Sequence, residues 1–339
     1  MELNLITISD VAKRAQVSRS TVSRVLNNQT HHIREETRQR VLQAARELNY
    51  KPNRVARSLK TKKSHCIGVI TDDIDTPFLP SMLKAIEQYA FSRGYNALVC
   101  NSGYEFDRQK AYIEMLVQRQ VDGIIFAASF VSSYTQELIK PDLPIVYAYS
   151  FSPYTKKNSV LSADADAAQQ AVDYLVSLGH RRIGYINGPE NVIPSRERIK
   201  GYQKALEEHG IAFDPALVKN GEWEEPASAY KAAREFLALS DPPTAVFAAN
   251  DVMASGVIDA VTDLGLRVPE DVSVVGYDDR DMARFLKPPL TTVRLPMAEI
   301  GSTAAKMLID CVERGETLID SAYVPCKLII RGSCAANSR

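Results

Sequence analysis

The sequence predicts an α/β protein with a small all-α head and a two-lobed body of doubly wound parallel sheets. Three observations predict it. The first fifty or so residues carry only helical spacing. From Cys66 onward, short apolar runs alternate with amphipathic helical stretches, the signature of strands joined by crossover helices. That alternation is too long for one sheet of ordinary size and divides near Asp164 into two similar halves. A chain of 339 residues, 45% apolar and 24% charged, has the composition of a globular protein with more than one core.

The head is built around Thr7 to Asn27. Ser9 is the expected N-cap of a first helix, with Asp10 in its first turn and Ile8, Val11, Ala12 and Ala15 on one face. Gln16 falls in the turn, where a left-handed residue is often Gly. Ser18 caps a second helix whose apolar face is Val22, Val25 and Leu26. That leaves Arg19, Ser20, Thr21, Ser23 and Arg24 facing outward without a carboxylate among them. Hydroxyls and guanidinium groups of this kind bond phosphate oxygens, and Arg also reads guanine edges. A third helix over Glu35 to Asn49 closes the unit, with Arg34 where a hydroxyl cap is more usual. Charge supports the reading. Residues 1–63 hold 14 Lys and Arg against 5 Asp and Glu, whereas the remainder holds 27 against 36. A net charge of zero hides a basic head on an acidic body, as expected of a domain that touches a polyanion.

These residues resemble the lac repressor/gal repressor family of bacterial transcription regulators. The resemblance rests on Ile8-Ser-Asp-Val-Ala12, Val17-Ser18, Thr21-Val-Ser-Arg-Val-Leu-Asn27, Thr37-Arg38, Leu48-Asn-Tyr50 with Pro52-Asn53, and Val55-Ala-Arg-Ser-Leu59. It extends to within about ten residues of the C-terminus. It implies a helix-turn-helix head over 1–50 with Ser18 among its DNA contacts, and a hinge over 51–64. The body, 65–339, then takes a two-lobed periplasmic-binding-protein-like fold. Lobe 1 is expected over about 65–163 plus 295–320, and lobe 2 over about 164–290 plus 321–332. On its own the basic segment Lys51 to Ser64 is a solvated tether, too short for a stable isolated helix. The resemblance implies that it folds on operator DNA, with Leu59 wedged into the minor groove and Asn53, Arg57 and Lys60 at the groove or its phosphates. The loop Asn27 to His32 is about one residue long against the family.

Strands are expected at Ile67–Thr71, Asn96–Cys100, Gly123–Phe126, Pro144–Tyr147, Ile183–Ile186, Ala245–Phe247 and Val272–Gly276, with a short one at Leu217–Lys219. Helices are expected over 79–91, 108–119, 165–178, 195–209, 227–239 and 252–264. In such sheets ligands sit beyond the carboxyl ends of the strands. The residues that follow them include Asp72, Phe78, Tyr149, Arg196, Arg198, Trp223, Asn250 and Asp278, which form the candidate effector site. Rings, carboxylates, an amide and guanidinium groups suit a polyhydroxylated ring. Asp72, Asp164 and Asp251 are equally placed to be helix caps, and Trp223 to be core. The resemblance aligns Arg198, Asn250 and Asp278 with family effector contacts. Many members carry an acid after the fourth strand, where this chain has Tyr147-Ala-Tyr149. Arg196 beside Arg198 leaves a phosphorylated or acidic sugar open.

No phosphate loop, nucleophile elbow or HExxH occurs, so no catalytic residue is expected. Five scattered cysteines form no CxxC pair and fit reduced thiols in a cytoplasm; no metal or cofactor is expected, and His31-His32 is read as a polar loop doublet. No apolar run approaches a membrane span. The expected protein is a cytoplasmic, homodimeric repressor of pseudo-palindromic operator DNA, switched by a sugar or sugar phosphate. The C-terminal leucine-rich helix that joins lac repressor dimers into tetramers has no counterpart in Ile330 to Arg339. The alternative is a sugar-binding receptor or sugar-converting enzyme with an unrelated basic N-terminus. A receptor would need an export signal, and none opens the sequence.

Overall fold

The computed structural model describes residues 6–26, 33–50, 63–133, 143–151, 157–317 and 319–338. The chain divides into two compact units, Met1–His65 and Cys66–Arg339. Asn53, Arg57, Leu59, Lys60 and the loop from Asn27 to His32 lie outside the described residues.

The first unit packs α1 (Ile8–Ala15), α2 (Arg19–Leu26) and α3 (Glu35–Glu47) around Val11, Ala15, Val22, Val25, Val41 and Ala44. The N-cap of α1 is Thr7, not Ser9. The Asp10 carboxylate reaches back to accept from the Thr7 N–H at 2.8 Å and the Thr7 hydroxyl at 2.7 Å, which puts Ser9 inside the first turn. Those hydrogen bonds hold Asp10 below the usual carboxylate range. Gln16 takes the left-handed conformation (φ 54°, ψ 47°) that ends α1, a position that costs a non-glycine residue about 1–2 kcal/mol. Ser18 caps α2 by accepting from the Thr21 N–H at 3.1 Å. Arg34 precedes α3 in an extended conformation with no side-chain cap, and Glu35 and Glu36 face the positive helix end instead.

The second unit holds two six-stranded sheets. The first contains β1 (Cys66–Thr71), β2 (Asn96–Asn101), β3 (Gly123–Ser133), β4 (Ile145–Phe151), β5 (Ser159–Ser162) and β11 (Ala322–Val324), in the order β11-β5-β4-β3-β1-β2. The second contains β6 (Ile183–Asn187), β7 (Val218–Asn220), β8 (Ala245–Ala248), β9 (Ser273–Asp278), β10 (Thr291–Arg294) and β12 (Lys327–Ile329), in the order β12-β10-β9-β8-β6-β7. The helices are α4 (Leu79–Ser92), α5 (Phe106–Gln118), α6 (Asp164–Ser177), α7 (Ile193–Glu208), α8 (Pro226–Leu237), α9 (Asp251–Asp263) and α10 (Met297–Arg314). Strand interiors such as Ile67, Val69 and Ile70 or Val274 and Val275 are buried, as strands covered on both faces require.

The chain passes between sheets three times: from β5 into α6, from β10 into α10, and from β11 into β12. Two details depart from the sequence reading. Residues 322–324 were expected in lobe 2, but β11 runs parallel to β5 in the first sheet. The Asn158 side chain fixes that approach by donating to Thr317 O at 2.7 Å and accepting from the Ile319 N–H at 2.7 Å. The return to the second sheet comes only after Val324. There β12 runs antiparallel to β10, so that sheet is not wholly parallel. Among the described residues, no helix is long and apolar enough to cross a membrane.

Candidate functional site

Each sheet has one point where strand order reverses direction, between β1 and β3 in the first and between β6 and β8 in the second. Crevices open at such points because the flanking helices leave to opposite faces. A cavity of about 380 Å³ draws its lining from segments at or beyond the ends of these strands and of β4, β7, β9 and β10 beside them. Its lining includes Phe78, Tyr149, Arg198, Trp223, Asn250 and Asp278, six of the eight effector residues read from the sequence.

Arg198 anchors the second-lobe side. Its Nε donates to Asp164 at 2.9 Å, its Nη1 donates to the Ala249 carbonyl at 2.5 Å, and its Nη2 lies 3.9 Å from Asp278. The guanidinium carbon sits 3.5 Å from the Tyr277 ring centroid. Asp164, the first residue of α6, also accepts from the Tyr277 hydroxyl at 2.9 Å and from the Ser162 hydroxyl. The helix-cap reading of Asp164 therefore gives way to a buried ion pair. Asn250 is the true cap of α9, its Oδ1 accepting from the Met253 N–H at 2.7 Å. That leaves the amide nitrogen without a protein partner among the described residues.

The Asp278 carboxylate, only 6% exposed, accepts no hydrogen bond from any described residue. Burial pushes its proton affinity well above the usual carboxylate range, with Arg198 pulling against that. Asp251 behind it is raised to about 7, again chiefly by burial; it accepts from the Thr292 hydroxyl at 2.5 Å and the Arg280 N–H at 2.7 Å. Trp223 lies against Gly188, where a Cβ would collide with the indole ring. Three lining residues, Tyr149 (φ 53°), Glu224 (φ 62°) and Asp278 (φ 104°), hold positive φ. For residues other than glycine this costs about 1–3 kcal/mol each and clusters at binding sites.

Two predicted residues do not line the cavity. Asp72 is buried behind it, and both its oxygens accept from the Ser129 N–H at 3.0 Å, so it braces a lining residue. Arg196 is exposed on α7, because two residues of helix turn it about 200° away from Arg198. Sequence reading missed Ser129, Val192, Pro194, Glu224 and Leu295. Ser129 was accessible to the same strand-end rule, but β3 runs past Phe126, where the apolar run was expected to stop.

In the first unit, Ser18, Arg19, Ser20 and Arg24 are exposed and Thr21 and Ser23 half-buried, on a helix without an acidic residue. Ser18 spends its oxygen on the helix cap, and Arg19 Nη1 donates to Ser9 Oγ at 3.3 Å.

A basic helical head joined to a two-sheet body with a cleft cavity defines a ligand-binding regulator. Residues 7–53 match the model of bacterial regulatory proteins, lacI family, and residues 172–334 match a periplasmic binding protein-like domain. The HTH-type transcriptional repressor CytR of Escherichia coli (strain K12) is 38% identical over 333 residues, 97% of this chain and 96% of that protein. The repressor PurR of Mannheimia succiniciproducens is 36% identical over 331 residues, covering 97% and 98%. Among solved structures, the lac repressor dimer bound to operator and the anti-inducer ONPF superposes with a TM-score of 0.76 at 32% identity, covering 98% of this chain and 99% of that one. A complex of the regulator CelR with cellobiose gives 0.65 at 30%, covering 97% and 99%. The chain belongs to the lacI family of bacterial transcription regulators, whose members named here are regulators and not enzymes.

Proposed function

We propose that this chain is a cytoplasmic repressor that binds pseudo-palindromic operator DNA as a homodimer, and that a sugar or sugar derivative in the cleft cavity switches its affinity. One observation carries the reading. The cavity presents Asp278, the Asn250 amide nitrogen and the Tyr149 hydroxyl with no hydrogen-bond partner among the described residues, so its polar groups await a ligand. Two relatives hold ligands in complexes, ONPF with the lac repressor dimer on operator and cellobiose with CelR. Both support carrying an effector role over to this chain.

On this reading Arg19, Ser20 and Arg24 enter the major groove, with Ser18, Thr21 and Ser23 beside them at the backbone. Asn53, Arg57, Leu59 and Lys60 form the hinge contacts. Ligand closure rotates one lobe against the other and changes the spacing of the two hinges. Coupling of this kind is typically about 1–3 kcal/mol.

Selection from random duplexes should return a two-fold symmetric site. Arg19→Ala and Arg24→Ala should weaken that site by about 10–100-fold and random DNA far less. Equal losses on both would show that these residues touch only phosphates. Leu59→Ala should lower operator affinity while ligand binding persists. Sedimentation should give a dimer, and a stable tetramer at micromolar protein would overturn that assignment.

A further inference from the structure

We infer that the effector is neutral, and that the cavity rejects the phosphate ester of whatever it accepts. The inference rests on the effector-site reading above and turns on an account of charge. Arg198 is committed to Asp164 through Nε and to the Ala249 carbonyl through Nη1. The Arg280 guanidinium is taken by both oxygens of Glu224 through Nη1, at 2.7 and 2.6 Å. Arg196 is outside, and no lysine lines the cavity. Asp164 and Glu224 already balance these two engaged cations, so no positive charge is left in surplus. Asp278 comes on top of that balance, a carboxyl group with no hydrogen bond of its own among the described residues, where burial favours the proton and Arg198 opposes it.

Helix N-termini add partial positive charge, but they are poorly equipped to hold an anion here. The second residues of α4 and α7 are Pro80 and Pro194, each of which removes a first-turn donor. The Met253 N–H of α9 is taken by Asn250, and Asp251 stands in the same first turn. A phosphate brought here would lose its water and meet Asp278 without a free cation to offset the cost. What the cavity does offer is an acceptor at Asp278 and donors at Asn250 Nδ2 and Arg198 Nη2, beside the rings of Trp223 and Phe78. Adjacent hydroxyls on a ring, or a ring edge with N–H and C=O groups, complete that set without adding charge.

The test is calorimetry on the full chain with matched pairs: a hexose, a pentose, a purine nucleoside and a pyrimidine nucleoside, each beside its monophosphate. The expected result is binding of at least one neutral member, with its monophosphate weaker by at least about 100-fold. Asp278→Asn keeps the shape and tolerates positive φ. It should weaken the neutral ligand, because one of the carboxyl oxygens is replaced by an amide donor, and leave the monophosphate the weaker member of the pair, because no cation has been freed. A monophosphate binding as well as or better than its neutral partner would overturn the inference. If such a monophosphate loses its binding in Trp223→Ala, the cavity reading stands and only the neutral assignment fails. A neutral ligand indifferent to both substitutions overturns the cavity reading itself.

Discussion

The two walls of the cavity are built differently. The first lobe supplies Phe78, Ser129 and Tyr149, with no formal charge among them. The second supplies Arg198, Glu224, Asn250 and Asp278, together with Trp223. The charged wall is also the more heavily hydrogen-bonded one: Arg198, Asp164 and Tyr277 form a buried network, and Asn250 caps a helix. Among the described residues, the uncharged wall is braced at Ser129, whose N–H donates to Asp72 and whose hydroxyl lies 2.9 Å from that of Tyr104. On the effector reading proposed above, a ligand would take its orientation from the second lobe, with apolar surface and hydroxyls of the first lobe on its other side.

The largest break in that comparison comes from removing the charged wall's internal partner. Asp164→Ala leaves the Arg198 guanidinium, whose side chain is 3% exposed, without its carboxylate. Removing one member of a buried pair typically costs about 3–5 kcal/mol. Urea denaturation should show a loss of that size, while the pair Asp164→Leu with Arg198→Met should recover much of it without restoring ligand binding. A loss below about 1 kcal/mol for Asp164→Ala would mean that water reaches the network and that the wall is softer than the geometry indicates.

The lining of the candidate site was legible in the sequence where chemistry and topology coincide. Asn250 and Asp278 follow strand ends directly, so the strand-end rule finds them without a fold in hand. Asp72 obeys the same rule but turns inward, because the β1 and β3 ends lie side by side and the Ser129 N–H needs an acceptor; that neighbour is invisible in one dimension. The short strands β5 and β11, of four and three residues, carry too little pattern to register, which is why the lobe boundary at Ala322–Val324 was misplaced. The head's elements and core were readable throughout, and only the cap slipped, from Thr7 to Ser9, because both positions hold a hydroxyl.

The second break is with pH, and it sharpens the picture of the charged wall. The folded-state affinity of Asp251 for its proton is raised to about 7, against 3.8 for the unstructured carboxylate. The folded protein therefore holds more protons than the unfolded chain between those values. The contribution of Asp251 to stability is fully present below pH 3.8 and is lost as pH rises through about 7, with a slope of at most about 1.4 kcal/mol per pH unit. Other carboxylates oppose this trend, so the comparison is with Asp251→Asn, which cannot titrate. The stability of the wild type minus that of the variant should fall between pH 5 and pH 8. A difference that is flat or rises with pH would show that Asp251 is ionised throughout.

A smaller effect tests the uncharged wall. Ser129→Ala keeps the backbone N–H bond to Asp72 but removes a hydroxyl that sits 2.9 Å from the Tyr104 hydroxyl. One neutral hydrogen bond is worth about 0.5–1.5 kcal/mol, so the affinity for the effector should fall by about three- to tenfold. Asp278→Ala, on the other wall, should cost at least about 100-fold, because the ligand donors it receives are then left buried and unpaired. Titration calorimetry on both variants would reverse the assignment of the walls if Ser129 proved the costlier.

The smallest effect expected is that of Arg196→Ala, and it separates the two arginines that the sequence places side by side. Both stand on α7 two residues apart, and at 100° per residue they project from nearly opposite sides. The buried residues Pro194, Ser195, Arg198, Gly201, Tyr202 and Ala205 mark the inner face, and Arg196 is not among them. An exposed arginine held by no described partner contributes little to stability or to a ligand enclosed on the other side of its helix. Effector affinity in Arg196→Ala should stay within about twofold of the wild type, whereas Arg198→Lys should lose most of its binding. A lysine cannot reproduce the planar fork that reaches Asp164 and the Ala249 carbonyl at once. Should Arg196→Ala instead weaken a phosphorylated ligand selectively, the bound state would have to bring α7 into a different rotation, and the division between an engaged and an idle arginine would not survive.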